Sequence, residues 1–498
     1  MKREEGTKSK EQRAKSKEQR AKSKEQRTGN EKKHPFPIPH SSFLIPLCSL
    51  LFALCSLVSL SAQETKGSTE ETRFNTIKYG TETEIIALIQ ALKNEGADYL
   101  DGEIVALIGN TRNQKILSGA FAFFADREKG GLEDRAVRAL GEWDEEETET
   151  VLAAIDYLGK VKVEAAVPVL KELLEAGERR FMNAAFRALG QVGGGGGEGS
   201  DEAAEYLVDY YENRDPAAEN RRDIIGALGA TSSASAVPLL AAIATDNEER
   251  AALRVAALES LARIGDPGGL DAVITCVAAR DPNIRSAAVT ALGPFSGEAV
   301  DDAILDAFRD SYYRTRIAAA QASRQRKLAA AVPYLKFRAE RDEIPAVREE
   351  SIRALGAIAS GESIGILEEL FTERKNSDRL RIVAGEMIMQ NEPERFLDSF
   401  VRELDEAKQK NQNALYNGLL RIIGGTKCAN MLDITRRLMQ QSGVIEKSFA
   451  LDMAANNSLA ALADEIRLIA EGRNEGLARK ARRTLETLGI EFGPKPAN

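Results

Sequence analysis

The chain has 498 residues, of which only 6% are aromatic, and a formal net charge of −9. Residues 1–62 hold 13 Lys/Arg against 6 Glu, so the remainder carries −16. A body that acidic excludes a protein that tracks a phosphate backbone, because nucleic-acid affinity comes largely from Lys and Arg displacing counterions.

Residues 8–28 read KSKEQRA, KSKEQRA and KSKEQRT, a low-complexity basic tract with nothing to bury, and the whole of 1–42 is expected to be a disordered leader. From Phe43 to Leu60 the sequence is almost wholly apolar and uncharged, with Pro46 inside it and small residues at Ser59, Ser61 and Ala62. A basic flank, an apolar stretch and a small-residue site predict a signal peptide over 43–62, cleaved near Ala62, and hence a periplasmic or exported protein. The stretch is also long enough for an uncleaved inner-membrane anchor, against which Pro46 and the small residues weigh. Leu54 before Cys55 argues against lipidation, and a translation start near Asn30 to Lys33 would leave the destination unchanged. Cys48 and Cys55 leave with the leader. Cys276 and Cys428 lie about five repeats apart, at ~10 Å per stacked pair, too far for a disulfide, so both are expected as free, packed thiols.

Residues 63–81 read as a polar linker. Residues 82–160 read as an N-terminal cap followed by two less regular helix pairs, with Ile85, Ile86, Leu88, Ile89 and Leu92 at helical spacing in the cap. Over 161–490 a pattern returns about every 32 residues. Its clearest copy runs from Asp281 to Gly293, Asp-Pro-Asn-Ile-Arg-Ser-Ala-Ala-Val-Thr-Ala-Leu-Gly. Aligned on Leu292, the equivalents are Leu158, Leu189, Leu228, Leu261, Ser323, Leu355, Ile388, Ile423, Ala455 and Leu485. A fixed period of that length predicts an all-α fold, an α-solenoid of stacked antiparallel helix pairs.

Ala-Val-Pro opens three units, at Pro168, Pro238 and Pro333. Proline suits a first helical turn, where its missing N–H would have had no partner. Second helices end in Leu-Gly at Gly190, Gly229, Gly293 and Gly356, which predicts a left-handed stop. One interval is longer than the rest, and the surplus matches the insert 193–200, GGGGGEGS, expected as a flexible surface loop or hinge. The last unit, Arg479 to Gly489, reads as a polar end cap, with a tail over 491–498.

In the clearest copy Arg285 is followed by Ala288, Val289 and Leu292 at +3, +4 and +7, within about 60° of arc on a helical wheel. The arginine therefore lies on the buried stripe. Its equivalents are Arg221, Arg254, Arg316, Arg348 and Arg381, and an acid precedes nearly every one: Asp215, Glu248, Asp281, Asp310, Asp342 and Asp378. A lone buried ion is costly, so this spacing predicts an internal ladder of Arg–Asp bonds tying each unit to the next, with a row of anion-binding arginines as the alternative.

The pattern Asp-x-x-x-Arg-x-x-Ala-x-x-Ala-Leu-Gly, with Ala-Val-Pro-x-Leu opening the partner helix, resembles the HEAT-like repeat of the subclass first named from phycobilin lyases, here in an exported bacterial form. The resemblance covers about residues 100–490. It implies fold strongly and activity hardly at all, since such repeats serve scaffolds, lyase subunits and enzymes alike. Deoxyhypusine hydroxylase, also a HEAT-like array, holds two irons through His-Glu pairs. The only histidines here are His34 and His40, both in the leader, so that site has no counterpart, and histidine-dependent zinc or haem sites fail with it.

Phosphate-loop and nucleophile-elbow motifs are absent from the sequence. The acidic run Asp144 to Glu149 lacks calcium-loop spacing and is expected as a solvated turn. Trp143 beside it is expected half-buried, and Tyr312 and Tyr313 are expected to stack on the next unit or to form an exposed recognition spot. The position five residues after each repeat arginine points away from the buried stripe by about 160°. Those residues, Glu259, Thr290, Gln321, Arg353 and Glu386, are the candidate partner groove. The expected function is a non-enzymatic scaffold without cofactors that binds an envelope protein along the concave face. A lyase or other enzyme subunit and a membrane-anchored structural element are the alternatives.

Overall fold

The computed structural model describes residues 69–195, 198–214 and 216–492, and from Arg73 onward the chain forms one unit. The expectations for the leader, including His34, His40, Cys48, Cys55 and the cleavage site, lie outside the described residues, as do Asp215 and 493–498. The described residues contain helices and turns and no strand.

α1 (Glu82–Glu95) begins with a capping box: the Thr81 side chain accepts from the Glu84 N–H and the Glu84 carboxylate accepts from the Thr81 N–H, so two otherwise unpaired donors are satisfied together. Helix pairs follow in order. They are α2 (Asp101–Asn110) with α3 (Gln114–Ala125), α4 (Glu133–Gly141) with α5 (Thr148–Val161), α6 (Val167–Glu175) with α7 (Arg179–Gly193), and α8 (Glu198–Asn213) with α9 (Ala218–Thr231). Then come α10 (Val237–Thr245) with α11 (Ala251–Ile264), α12 (Leu270–Val277) with α13 (Pro282–Ala291), α14 (Glu298–Ala307) with α15 (Tyr313–Arg326), and α16 (Val332–Arg341) with α17 (Pro345–Ile358). The last are α18 (Gly361–Thr372) with α19 (Asp378–Asn391), α20 (Pro393–Gln409) with α21 (Asn413–Gly425), α22 (Leu432–Met439) with α23 (Val444–Asn456), and α24 (Ala463–Ala470) with α25 (Glu475–Thr487).

Each odd-numbered helix packs on its own partner and on the next odd-numbered helix, whereas even-numbered helices touch one another less closely. The second helices therefore form the tighter of two layers, and the core runs between the layers as one apolar seam. Ten of the eleven aligned positions are buried in that seam, while Ala455 is half-buried beside buried Leu451 and Ala454. Pro168, Pro238 and Pro333 stand in the first turns of α6, α10 and α16, each behind a short 3-10 turn, as the missing N–H requires.

Four expectations need correction. Three of the four Leu-Gly glycines do not end their helices, and only Gly293 stands in the turn just past one. Gly190, Gly229 and Gly356 lie inside α7, α9 and α17, and none of the four has a positive φ. A left-handed residue comes three positions later at Ser232 and Ala359, with equivalents at Lys162, Gly265 and Lys327, but not after Gly190 or Gly293. What the glycines supply is clearance: a Cβ at Gly190 would stand 2.6 Å from the Ala227 carbonyl oxygen and 2.7 Å from its Cα. Second, the insert is shorter as a loop than its composition suggests. Gly193 closes α7, and α8 begins at Glu198. Third, residues 73–79 are helical, where a linker was expected, and Ile77 is buried against the core. Fourth, the acidic run is not wholly solvated. Glu146 turns inward, bonding Arg135 at 2.7 Å and the Gln114 amide, because Arg135 on the buried side of α4 would otherwise lack a counter-charge.

Among the described residues no helix is long and apolar enough to cross a membrane. Cys276 and Cys428 are buried free thiols, and burial pushes the Cys276 thiol above its usual range. Trp143 is half-buried, edge-on to Phe181 at 6.2 Å. Tyr312 packs on Tyr313 and bonds backward, its hydroxyl reaching Asn283 of the preceding unit at 3.2 Å, so it does not stack on the next unit.

Candidate protein-binding surface

The six repeat arginines share one contact, with backbone. Arg254 Nε donates to the Ala244 carbonyl at 2.9 Å, Arg348 Nε to Ala339 at 2.9 Å, Arg381 Nε to Phe371 at 2.9 Å and Arg221 Nε to Pro216 at 3.3 Å. Arg285 Nη1 reaches the Ala279 and Arg280 carbonyls, both at 3.1 Å, and Arg316 Nη1 reaches those of Asp310 and Ser311 at 2.9 and 3.1 Å. All these carbonyls lie at or just past the end of the unit's own first helix, where the last C=O groups lack intrahelical partners and the dipole favours a cation. An arginine with five donors can serve such carbonyls and a further partner at once, where lysine would offer a point charge.

Carboxylates complete the contact at some positions only. Arg285 holds Asp310 through Nε and Nη2 at 2.7 and 2.9 Å, and Arg316 holds Asp342 at 2.7 and 2.8 Å. In both cases the acid belongs to the following unit, so these two forks join three successive units. Burial alone would raise the Asp310 and Asp342 carboxyls, but the arginine fork and a backbone N–H, from Tyr312 and Ile344 respectively, outweigh it and hold both below the usual range. Elsewhere the predicted pairs fail. Arg381 bonds Glu403, an acid outside the pattern, and Arg221 faces Glu249 of the next unit at 3.8 Å, one residue from Glu248. Arg254 takes the Asn247 side chain at 3.2 Å, while Asp281 is engaged as the cap of α13, accepting from the Asn283 N–H. Neither Arg254 nor Arg348 has an acid partner among the described residues. Both are nevertheless turned inward, and Arg254 and Arg381 are only 7% and 3% exposed, which leaves no outward row of anion-binding arginines.

Bonds that the repeat pattern did not disclose also cross the second-helix layer. Ser260 Oγ donates to the Ile225 carbonyl at 2.8 Å, Asn391 Nδ2 to Gly356 at 3.0 Å and Asn456 Nδ2 to Gly424 at 2.9 Å. Each lies 32 to 35 residues from its acceptor, a spacing that marks them in the sequence once the period is known.

The five +5 residues lie on the open side of the second-helix layer, but they differ in freedom. Glu259, Thr290 and Gln321 are exposed, whereas Arg353 and Glu386 are half-buried. Arg353 belongs to a charge chain: it pairs with Glu349 at 3.2 Å and with Glu350 at 3.6 Å. Arg379 forks onto the same Glu349 at 2.9 and 3.0 Å, and Arg324 meets Glu350 at 3.2 Å. From α15 to α19, then, charges on this face are used in joining repeats. Further back the face sinks into a depression of about 380 Å³ across α7, α9 and α11, which Glu259 also lines. Among the described residues no group of three or more His, Cys, Asp or Glu stands close enough to hold a metal ion.

No curated protein matches this sequence. Among solved structures, human deoxyhypusine hydroxylase in complex with glycerol is 21% identical over 47% of this chain and 99% of its own, with a TM-score of 0.22. The karyopherin Kap121p, bound to the extreme C-terminus of the protein phosphatase Cdc14p, is 10% identical over 84% of this chain and 53% of its own, with a TM-score of 0.44. Importin beta is 12% identical over 85% and 70%, with a TM-score of 0.40. A family model described as the spirochaete HEAT repeat protein matches residues 77–484. That span covers all the helix pairs from α2 onward, up to the last turn of α25, and the chain belongs to the spirochaete HEAT repeat family.

Proposed function

We propose that this protein is a non-enzymatic scaffold of the periplasm or cell envelope that holds another protein along the open face of its second helices. The observation that carries the reading is the division of labour in each repeat. The arginines and glycines of the pattern are engaged inside the stack, and the positions left outward, such as Glu259, Thr290 and Gln321, are exposed and, among the described residues, joined to no other repeat. The tighter second-helix layer supports a concave face there. Export rests on residues 43–62 alone and is tested by the N-terminal sequence of the protein recovered from cell fractions, with and without detergent. A mature chain starting near Gln63 fits a cleaved signal, and recovery only with detergent and an intact leader fits the anchored alternative.

The partner is sought by crosslinking in the native cell and identification of what is captured. Thr290→Arg with Gln321→Arg places two bulky cations on the face without touching a core residue. The expected outcome is loss of the captured partner at an unchanged melting temperature, and undiminished capture would overturn the reading.

A further inference from the structure

Arginines on the second-helix face are not all used alike. Arg324, Arg353 and Arg379, on α15, α17 and α19, pair with carboxylates of their own or a neighbouring repeat. In the depression across α7, α9 and α11 the pattern reverses. Arg187, Arg222 and Arg263 are exposed there and make no ion pair or hydrogen bond among the described residues. Two carboxylates, Asp223 and Glu259, line the same depression yet lie outside ion-pair reach of these three guanidiniums. The floor is built of Gly226, Ala227, Ala230 and Ala256, and a Cβ added at Gly226 would meet nothing within 4 Å, so a main chain has room to lie close to the helices.

From this arrangement we infer that the depression receives an extended acidic segment of a polypeptide partner, an inference that deepens the proposed scaffold role and rests on it. Three unengaged guanidiniums, each with a planar fork matched to carboxylate, stand in a molecule whose body is otherwise strongly acidic. Their attraction is therefore local, and an acidic segment is repelled by most of the surface but not here. The three helices are spaced by two steps of ~8–10 Å, a span of five or six residues of extended chain at ~3.3 Å each. Asp223 and Glu259 set the register, because carboxylates of the segment must fall opposite the arginines and between the two acids. Nucleic acid is the disfavoured occupant, since two fixed carboxylates among three cations oppose an unbroken row of phosphates.

The test uses the full chain and a fluorescent peptide of three Asp-Ser-Glu-Gly repeats, followed by anisotropy, with the peptide carrying Lys at every acidic position as control. Binding of the acidic peptide alone, weakening as salt is raised, is expected. The triple variant R187E/R222E/R263E should weaken it by at least about tenfold, the sum of three modest exposed pairs, with an unchanged melting temperature because all three side chains are exposed. Arg421→Glu, on the same face of α21, should leave it in place. Equal binding by the triple variant, equal loss with Arg421→Glu, or a single-stranded oligonucleotide displacing the peptide would each overturn the inference. If the Thr290 and Gln321 substitutions abolish capture of the native partner while the triple variant does not, the depression is not the docking point although the scaffold reading stands.

Discussion

Arg285 and Arg348 occupy the same place in their repeats and do different amounts of the same task. Each closes the open end of a first helix, but only Arg285 adds a two-bond fork to an acid of the next unit. Removing Arg285 strands both the Asp310 carboxylate and two carbonyls, so Arg285→Ala should destabilise by about 2–4 kcal/mol. Arg348→Ala loses a carbonyl contact without orphaning a charge and should cost about 1–2 kcal/mol. Urea denaturation of the two variants checks the order, and equal losses would show that the carboxylate adds nothing to the cap. The reason an arginine recurs where an acid does not is that every first helix ends in unpaired carbonyls, whatever the following turn contains.

At the scale of the helix, the glycine after the aligned leucine decides how closely one repeat sits on the next. An α-helical interior glycine ordinarily costs about 1 kcal/mol against alanine, so its use at Gly190 and Gly229 has to be offset by closer approach. At Gly190 the obstacle is the backbone of Ala227, and at Gly229 it is Ser260, with Cα at 2.7 Å from the added Cβ. Gly190→Ala should therefore destabilise by about 1–3 kcal/mol. Gly226→Ala, one helix along and with open space around the added methyl, should be neutral or stabilise by up to ~1 kcal/mol. Thermal melts of the pair give the comparison, and a harmless Gly190→Ala would mean that the layer relaxes around a methyl group. The left-handed residue that ends these helices is glycine only at Gly265 among the five equivalents. Lys162, Ser232, Lys327 and Ala359 tolerate the conformation because the stacked helices on either side over-determine it.

In the molecule as a whole, a repeat touches only its neighbours, so stability is close to a sum of unit and interface contributions. The Arg285–Asp310 and Arg316–Asp342 forks lie on three consecutive units, which makes the middle of the array sensitive to acid. The two carboxyls have folded values below their unfolded ones. Their contribution is therefore complete above the unfolded value, about 3.9, and disappears as pH falls through the folded value. Melting temperature should be nearly level from neutral pH to about 5 and drop below about 4. Asp310→Asn with Asp342→Asn should lower the neutral value and flatten that acid limb, while an acid limb unchanged in the double variant would place the sensitive groups elsewhere.

The period, the buried aligned residues, the helix-starting prolines and the inward arginines were all legible in the sequence, because each follows from which side of one helix a residue faces. A wheel and a ruler are enough for that. What the wheel cannot supply is the neighbour. It placed the glycines at the end of each pattern yet assigned Gly190, Gly229 and Gly356 to a turn, since the close approach of Ala227 to Gly190 exists only once two repeats are stacked. It expected a ladder from each unit to the next, and Arg285 does hold Asp310 and Arg316 Asp342 of the following units, but it could not foresee that Arg381 takes Glu403, an acid outside the pattern. It ranked Arg353 beside Thr290 and Gln321 as open surface, although Glu349 already occupies it. Residue type and spacing thus determined the helices and the buried stripe, for these are local. Tertiary structure alone decided which charges were consumed between repeats and which, at Arg187, Arg222 and Arg263, were left without a partner among the described residues.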